Sequence, residues 1–374
     1  MKSNNKISFL LPSPGRYPVG GFKIVYQYSN YLDELGYDVT IYFCPIFEPE
    51  YQLRVNVNLF KVLLHYFVKK YTKTYEYKPN WFKFNKNIKL RYIPFIRDRF
   101  ISNSDYIIFS CYGVANIGKY LSNEKGKKLF MIQEYEGWMK ADKDMKLNYK
   151  RIFNEKNIEN IAISVPVKRI LTECNAKISL YLPNFIDFKQ FDIDIKINSK
   201  KRTSIGFPTR NESHKGMREA VEVLKIIKKT YKDIDIWSFG LNKPEYFPEW
   251  IKFYNTPSNG KLRVLYNTSK IFMLTSYYEG WGLPGTEAMA CGCALVSTRN
   301  GGVDSYAVEW ESVLLSDIKD VDSMANNITK LLNDNKLRIR IAKNGSRYVK
   351  QFSADNSTEI LSNYLQNLKD KFAF

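Results

Sequence analysis

Between residues 271 and 290 an apolar segment, Ile271-Phe-Met-Leu274, passes through a glycine-broken loop into a helix start, and this handover restricts the fold more than any other stretch. The stretch from position 276 reads Ser276-Tyr-Tyr-Glu-Gly-Trp-Gly-Leu-Pro-Gly-Thr-Glu-Ala-Met-Ala290. Gly280 and Gly282 suit a tight turn, and Pro284 suits the first helical turn. Glu279 is therefore offered by the loop and Glu287 by the helix. A strand that hands over to a helix is the repeating unit of an open α/β sheet. At its carboxyl end the N–H groups of loop and helix face a crevice that suits a phosphate with a polyhydroxylated group beside it.

The same alternation recurs along the chain. Lys6–Leu11 reads as a strand, 22–36 as a helix ending at the C-cap Gly36, and Asp38–Phe43 as the next strand, joined by a right-handed crossover. Gly20 and Gly21 stand in the first loop, where they either admit a ligand close to the backbone or simply make a turn. Tyr106–Phe109, Lys128–Ile132, Ile161–Ser164 and Ile178–Tyr181 read as further strands. Glu134 and Glu136 follow the Lys128–Ile132 strand, so they either face an acceptor or cap the next helix. Pro183–Asp187 reads as a turn, Asp192–Arg202 as a polar linker, and a second α/β domain opens at Ser204. Its first loop, 208–216, carries Arg210 and Lys215, a fork donor and a point charge placed to clamp a diphosphate. The expected domains are 1–190, 191–352 and a C-terminal helix at 353–374 that packs back on the first. The fold class is α/β, with two doubly wound Rossmann-like domains facing a central cleft.

At 374 residues the chain exceeds one ordinary core of ~150 residues. Its net charge of +19 favours an anionic partner: nucleic acid, a membrane surface or a phosphorylated substrate. Residues 1–190 hold 30 basic and 17 acidic side chains, so the excess lies mainly there. From Arg54 to Arg99, twelve Lys or Arg stand against Glu76 and Asp98, interleaved with aromatics. This insert, 51–103, has three readings: an interfacial helix on anionic lipid, a surface for single-stranded nucleic acid, or an ordinary packed helix with a solvated basic face. Cys44, Cys111, Cys174, Cys291 and Cys293 lack zinc or disulfide spacing and read as small buried residues in a reducing compartment. No signal peptide or spanning segment is read, so a cytoplasmic location is expected.

Taken together, Ser276-x-x-Glu279-Gly-x-Gly-Leu-Pro-x-x-Glu287-Ala-Met-Ala-x-Gly292, Gly206-Phe-Pro-Thr-Arg210 with Lys215-Gly216, Pro183-Asn-Phe-Ile-Asp187 and Gly20-Gly21 resemble the retaining nucleotide-sugar glycosyltransferases of the GT-B fold, specifically the large fourth family. The resemblance implies that Glu279 binds hydroxyls of the donor sugar and that the N–H groups near Gly280, Trp281, Gly282 and Leu283 lie close to sugar and diphosphate. It implies that Glu287 holds the ribose, and that Arg210 and Lys215 neutralise the diphosphate with help from Gly20 and Gly21. Glu134 and Glu136 would orient the acceptor. No metal or cofactor is implied, because fixed cations and helix N-termini stabilise the departing diphosphate. Asp192-Ile-Asp194 has a metal-motif spelling but falls in the linker. Many relatives carry an acceptor-side histidine, whereas His65 and His214 occupy no equivalent strand end. The implied partners are a UDP-, GDP- or dTDP-sugar and a glycan or lipid-linked acceptor of bacterial surface polysaccharide synthesis. An anionic membrane face would meet residues 51–103, and nucleic acid is not an expected partner. The rival reading is a catalytically silent protein of the same fold that serves as a binding subunit.

Overall fold

The computed structural model describes residues 5–15, 17–44, 64, 67–68, 79–133 and 135–372. They form two compact units, one made of 1–163, 167–182 and 357–374, the other of 164–166 and 183–356. The second unit therefore takes up the chain at Pro183 rather than at 191.

In the first unit the described elements are β1 (Lys6–Leu11), α1 (Gly20–Glu34), β2 (Asp38–Phe43), β3 (Lys89–Tyr92), β4 (Tyr106–Phe109) and α2 (Tyr112–Gly118), followed by β5 (Lys127–Ile132), α3 (Tyr135–Lys140), α4 (Lys143–Phe153), β6 (Ile158–Ala162), α5 (Val165–Glu173) and β7 (Leu180–Tyr181). The strands make one parallel sheet ordered β3-β2-β1-β4-β5-β6-β7. Its central strands read as unbroken apolar runs because both faces are covered, and Phe9, Ile107, Ile108 and Phe130 are fully buried. Gly20 and Gly21 are the first residues of α1 rather than loop residues before it. Gly36, at φ +89°, lies just beyond that helix.

The insert is described in part. Residues 51–63, 65–66 and 69–78 lie outside the described residues, including the lysines that motivated a membrane contact. The described end is packed onto the domain. Trp81, Phe82 and Phe84 gather around Tyr26 of α1 with ring centroids 5.5, 5.3 and 4.8 Å away, and Trp81 Nε1 donates to Gly15 O at 2.9 Å. β3, which the composition did not reveal, closes the sheet edge. These aromatics are half-buried against the first unit.

In the second unit the elements are β8 (Ser204–Pro208), α6 (Met217–Thr230), β9 (Asp235–Gly240), β10 (Ile251–Asn255), α7 (Asn259–Asn267), β11 (Ser269–Leu274) and α8 (Leu283–Ala290), then β12 (Ala294–Thr298), β13 (Val313–Ser316), α9 (Val321–Asn333) and α10 (Asn335–Tyr348). The strands form a parallel sheet ordered β10-β9-β8-β11-β12-β13. The last helix, α11 (Ala354–Phe372), belongs to the first unit from Ser357 onward. Its Ser362 meets Tyr37 at 2.9 Å, its Leu365 O accepts from Tyr106 Oη at 2.6 Å, and Lys369 Nζ donates to Asn5 at 2.7 Å.

The stretch read as a linker is fastened down. Asn267 Oδ1, at the end of α7, accepts from Asp194 N and Ile195 N, while Asp194 takes a two-pronged ion pair from Arg263 at 2.6 and 2.5 Å. Arg202 is fully buried. Its guanidinium donates to the carbonyls of Ile195, Tyr266, Ser269 and Cys291. Two of those carbonyls lie at the C-terminal ends of α7 and α8, where a cation is favoured by both helix dipoles. Polar composition suggested solvent, but here the polar side chains tie the segment to helix ends.

Candidate active site

Both sheets reverse their strand order once: β1 lies between β2 and β4 in the first, and β8 between β9 and β11 in the second. In an open α/β sheet such a reversal leaves a crevice at the carboxyl ends of the two central strands. In the second unit the loops leaving that crevice are 209–216 after β8 and 275–282 after β11, which carry Arg210, Lys215 and Glu279.

The two loops are bonded to each other directly. Tyr277 N donates to His214 O at 2.7 Å, Thr275 Oγ1 donates to Lys215 O at 3.1 Å, and the His214 ring stacks on Tyr278 at 4.8 Å and 7°. Gly216 sits at φ +66°, and a Cβ there would lie 2.1 Å from Thr275 O. Only glycine allows both that conformation and that approach. This junction brings Lys215 Nζ to 3.0 Å from Glu279 Oε1, with the side chains 11% and 16% exposed. Ser276 Oγ donates to the same oxygen at 2.7 Å. Arg210 is half-buried in the first of these loops and donates to Thr209 O at 3.1 Å.

Glu279 is further fixed through its backbone, whose N–H donates to Asn300 O at 2.9 Å in the loop after β12. Beside it Gly302 packs so closely that a Cβ would lie 2.5 Å from Trp281 O and 2.9 Å from Glu279 O. The strand-end turn Asn300-Gly-Gly302 is thus the floor of the Glu279 loop. The loop then enters α8 at Gly282, at φ +93°, with no side-chain cap and no acidic residue in the first turn. The helix N-terminus therefore offers its amides and its positive dipole end to an anion.

The remaining sequence-derived residues fall as follows. Gly280 to Leu283 supply backbone at that N-terminus. The Trp281 side chain is buried against Tyr306 and Phe352, at 5.4 and 5.3 Å, so only its backbone faces the loop. Glu287 lies one turn into α8, 6% exposed, and takes a hydrogen bond from Tyr266 Oη at 3.4 Å. Burial, with the Glu287 charge adding to it, pushes the Tyr266 phenol well above its ordinary value, so it stays a donor. In the first unit, Gly20 and Gly21 open α1, which has neither side-chain cap nor acidic first turn. A Cβ on Gly21 would lie 2.8 Å from Gln133 Oε1, at the end of β5. Glu136 is in the first turn of α3, and Glu134 lies outside the described residues. Asp194 of the metal-like spelling is committed to Arg263, and no group of three metal-ligating side chains occurs among the described residues.

Sequence reading did not find Ser276, Tyr266 or Asn300 as supports of the two carboxylates. The Ser-x-x-Glu spacing was a usable signal for the first. The others come from distant loops that only the sheet brings near.

With that geometry in place, the comparisons are decisive for the second unit. Residues 188–348 match the family model of glycosyl transferases group 1. The second unit belongs to that family. Over 109 residues the chain is 33% identical to the O-antigen chain mannosyltransferase B of Escherichia coli, covering 29% of this chain and 28% of that protein. Over a longer span it is 25% identical to the capsular polysaccharide biosynthesis glycosyltransferase CapM of Staphylococcus aureus, covering 57% of this chain and 61% of the relative. The alignments thus span less than two thirds of these relatives. Among solved structures, HepE of Anabaena in complex with UDP and glucose superposes with a TM-score of 0.72 at 13% identity, covering 97% of this chain and all of that one. The sucrose-phosphate synthase of Thermosynechococcus elongatus superposes with a TM-score of 0.71 at 16% identity, covering 98% and 100%. The chain has the GT-B fold of two Rossmann-like parallel-sheet units. No helix among its described residues is long and apolar enough to cross a membrane.

Proposed function

We propose that this chain transfers a sugar, with retention, from a nucleotide-sugar donor to a glycan acceptor in bacterial surface polysaccharide synthesis. The carrying observation is that Lys215 and Glu279 pair at the switch point of the second sheet, on two loops of which one also carries Arg210 and the other leads into the uncapped N-terminus of α8. Arg210, Lys215 and the α8 amides supply the positive charge that a departing diphosphate needs, so the reading calls for no metal. Glu279 takes sugar hydroxyls and Glu287, steadied by Tyr266, takes the ribose. The bond from the anomeric carbon to the diphosphate breaks and a bond to the acceptor hydroxyl forms on the same face. The acceptor proton passes to the leaving phosphate oxygen, so no side-chain base is required.

UDP in the similar HepE structure and the O-antigen and capsular relatives support a UDP-sugar as the first probe and a glycan as acceptor. A rhamnosyl or other hexosyl donor and a lipid-linked acceptor at the inner membrane face remain within this reading. A hydrolysis and binding screen of UDP-, GDP-, dTDP- and CDP-sugars, with and without EDTA, tests it. Turnover of one donor unaffected by EDTA is expected, and no binding of any of the four overturns it.

A further inference from the structure

Tyr306 follows the Gly301–Gly302 turn and is fully buried against Trp281. Its hydroxyl has no hydrogen-bond partner among the described residues. Buried hydroxyls are nearly always partnered, and one left alone destabilises the fold. This one is directed at the first turn of α8. A methyl placed on Gly285 would lie 2.8 Å from Tyr306 Oη, and one on Gly282 would lie 3.1 Å from it. Both glycines therefore make room for the hydroxyl. The same point beside Gly282 lies 3.9 Å from Cγ of Glu279. Burial, with the charges of Glu279 and Asp304 adding to it, holds the phenol in its protonated form.

Glu279 has the complementary need. Both its side-chain hydrogen bonds, from Lys215 and Ser276, fall on Oε1. Under the function proposed above, Lys215 and Glu279 serve different parts of one donor, the diphosphate and the sugar. A diphosphate carries more negative charge than one carboxylate and draws the ammonium away. The largely buried carboxylate then loses its countercharge and requires another donor. Tyr306 has a proton and no acceptor, Glu279 would have an acceptor and too few protons, and both lie against Gly282.

We propose that Tyr306 is a positioning residue for Glu279: when the nucleotide sugar takes Lys215, the Tyr306 hydroxyl donates to the Glu279 carboxylate and fixes it against the sugar. The inference rests on the proposed function and adds a residue to it.

Tyr306→Phe keeps the ring and its packing on Trp281 and removes only the hydroxyl. It should leave the thermal midpoint unchanged or raised and leave UDP binding unchanged. Turnover of the donor that the wild type uses should fall roughly tenfold to a hundredfold, as loss of one hydrogen bond to a charged group implies. In a Glu279→Gln background the same change should add little, because the two act as one unit. A purely structural hydroxyl predicts no loss of turnover. Wild-type turnover in Tyr306→Phe, a lowered midpoint, or full additivity with Glu279→Gln overturns the inference alone. A wild type silent towards all four donor classes overturns the parent reading and this one with it.

Discussion

Glu279 and Glu287 stand eight residues apart in sequence yet have different surroundings. Glu279 is paired with an ammonium and a hydroxyl in a loop, while Glu287 is helical, buried and held by a phenol. Two carboxylates tuned as an acid and base pair would be expected to face one reacting atom, whereas these have different partners, and the proposed function gives them different segments of one extended ligand. Glu287→Ala should therefore weaken nucleoside diphosphate binding by about tenfold or more, the worth of a hydrogen bond to a charged group. Glu279→Ala should chiefly lower turnover while leaving UDP affinity nearly intact. Titration calorimetry with UDP beside steady-state kinetics with the donor separates the two, and the reverse pattern would undo the assignment. The types and spacing of these residues were legible in the sequence because strand, loop and helix are adjacent there. Their supports were not: Tyr266 and Asn300 act through contacts that exist only after β11 and β12 pair.

At the scale of elements, the junction of the 209–216 and 275–282 loops decides whether Lys215 reaches the site. Gly216→Ala must either leave the left-handed region or drive a methyl into Thr275 O, 2.1 Å away, so the loops must separate. The expected cost is roughly 1–3 kcal/mol of stability for a strained non-glycine residue. Loss of UDP binding should accompany it, read by thermal shift and calorimetry. Wild-type binding in this variant would show that the junction is not needed. The segment 192–202 illustrates the opposite limit of sequence reading. Its polarity marked it as linker, because a hydrogen-bond donor looks the same whether it faces water or a helix terminus. Arg263 beside Asp194 holds that carboxyl below the usual range. A lowered folded value means its stabilisation is complete above the unfolded value of ~3.9 and fades as pH falls towards the lowered one. The gap in thermal midpoint between wild type and Asp194→Asn should thus be constant from about pH 6 to 8 and narrow as the pH falls below about 3.9. A gap independent of pH would show that the pair does not hold the segment.

On the scale of the whole molecule, the doubly wound class was legible from alternating apolar strands and helices. The point at which the second unit takes up the chain was less so, because packing decides which unit owns a segment: it is Pro183 rather than 191. The C-terminal helix was expected on the first unit from the sequence. Residues 357–374 belong to the first unit although they follow the second in sequence. Within the first unit α11 buries Leu361, Leu365 and Leu368 and bonds Tyr37, Tyr106 and Asn5. Exposing three leucines costs about 1.5–3 kcal/mol each, which together approaches the 5–15 kcal/mol that holds a typical domain folded. The second unit keeps its own closing contacts before that helix begins, since Ile186 N donates to Phe352 O at 2.8 Å and Phe352 packs on Trp281. A chain ending at Ser353 should therefore lose hydrogen-exchange protection across β1, β4 and β5, while β8, β11 and β12 keep theirs. Equal loss in both sheets would mean that the units do not unfold independently. Full protection of β1 would mean that α11 contributes little to the first. Because Glu279, Glu287, Arg210 and Lys215 all lie in the second unit, the truncated chain should still bind UDP while failing to transfer sugar.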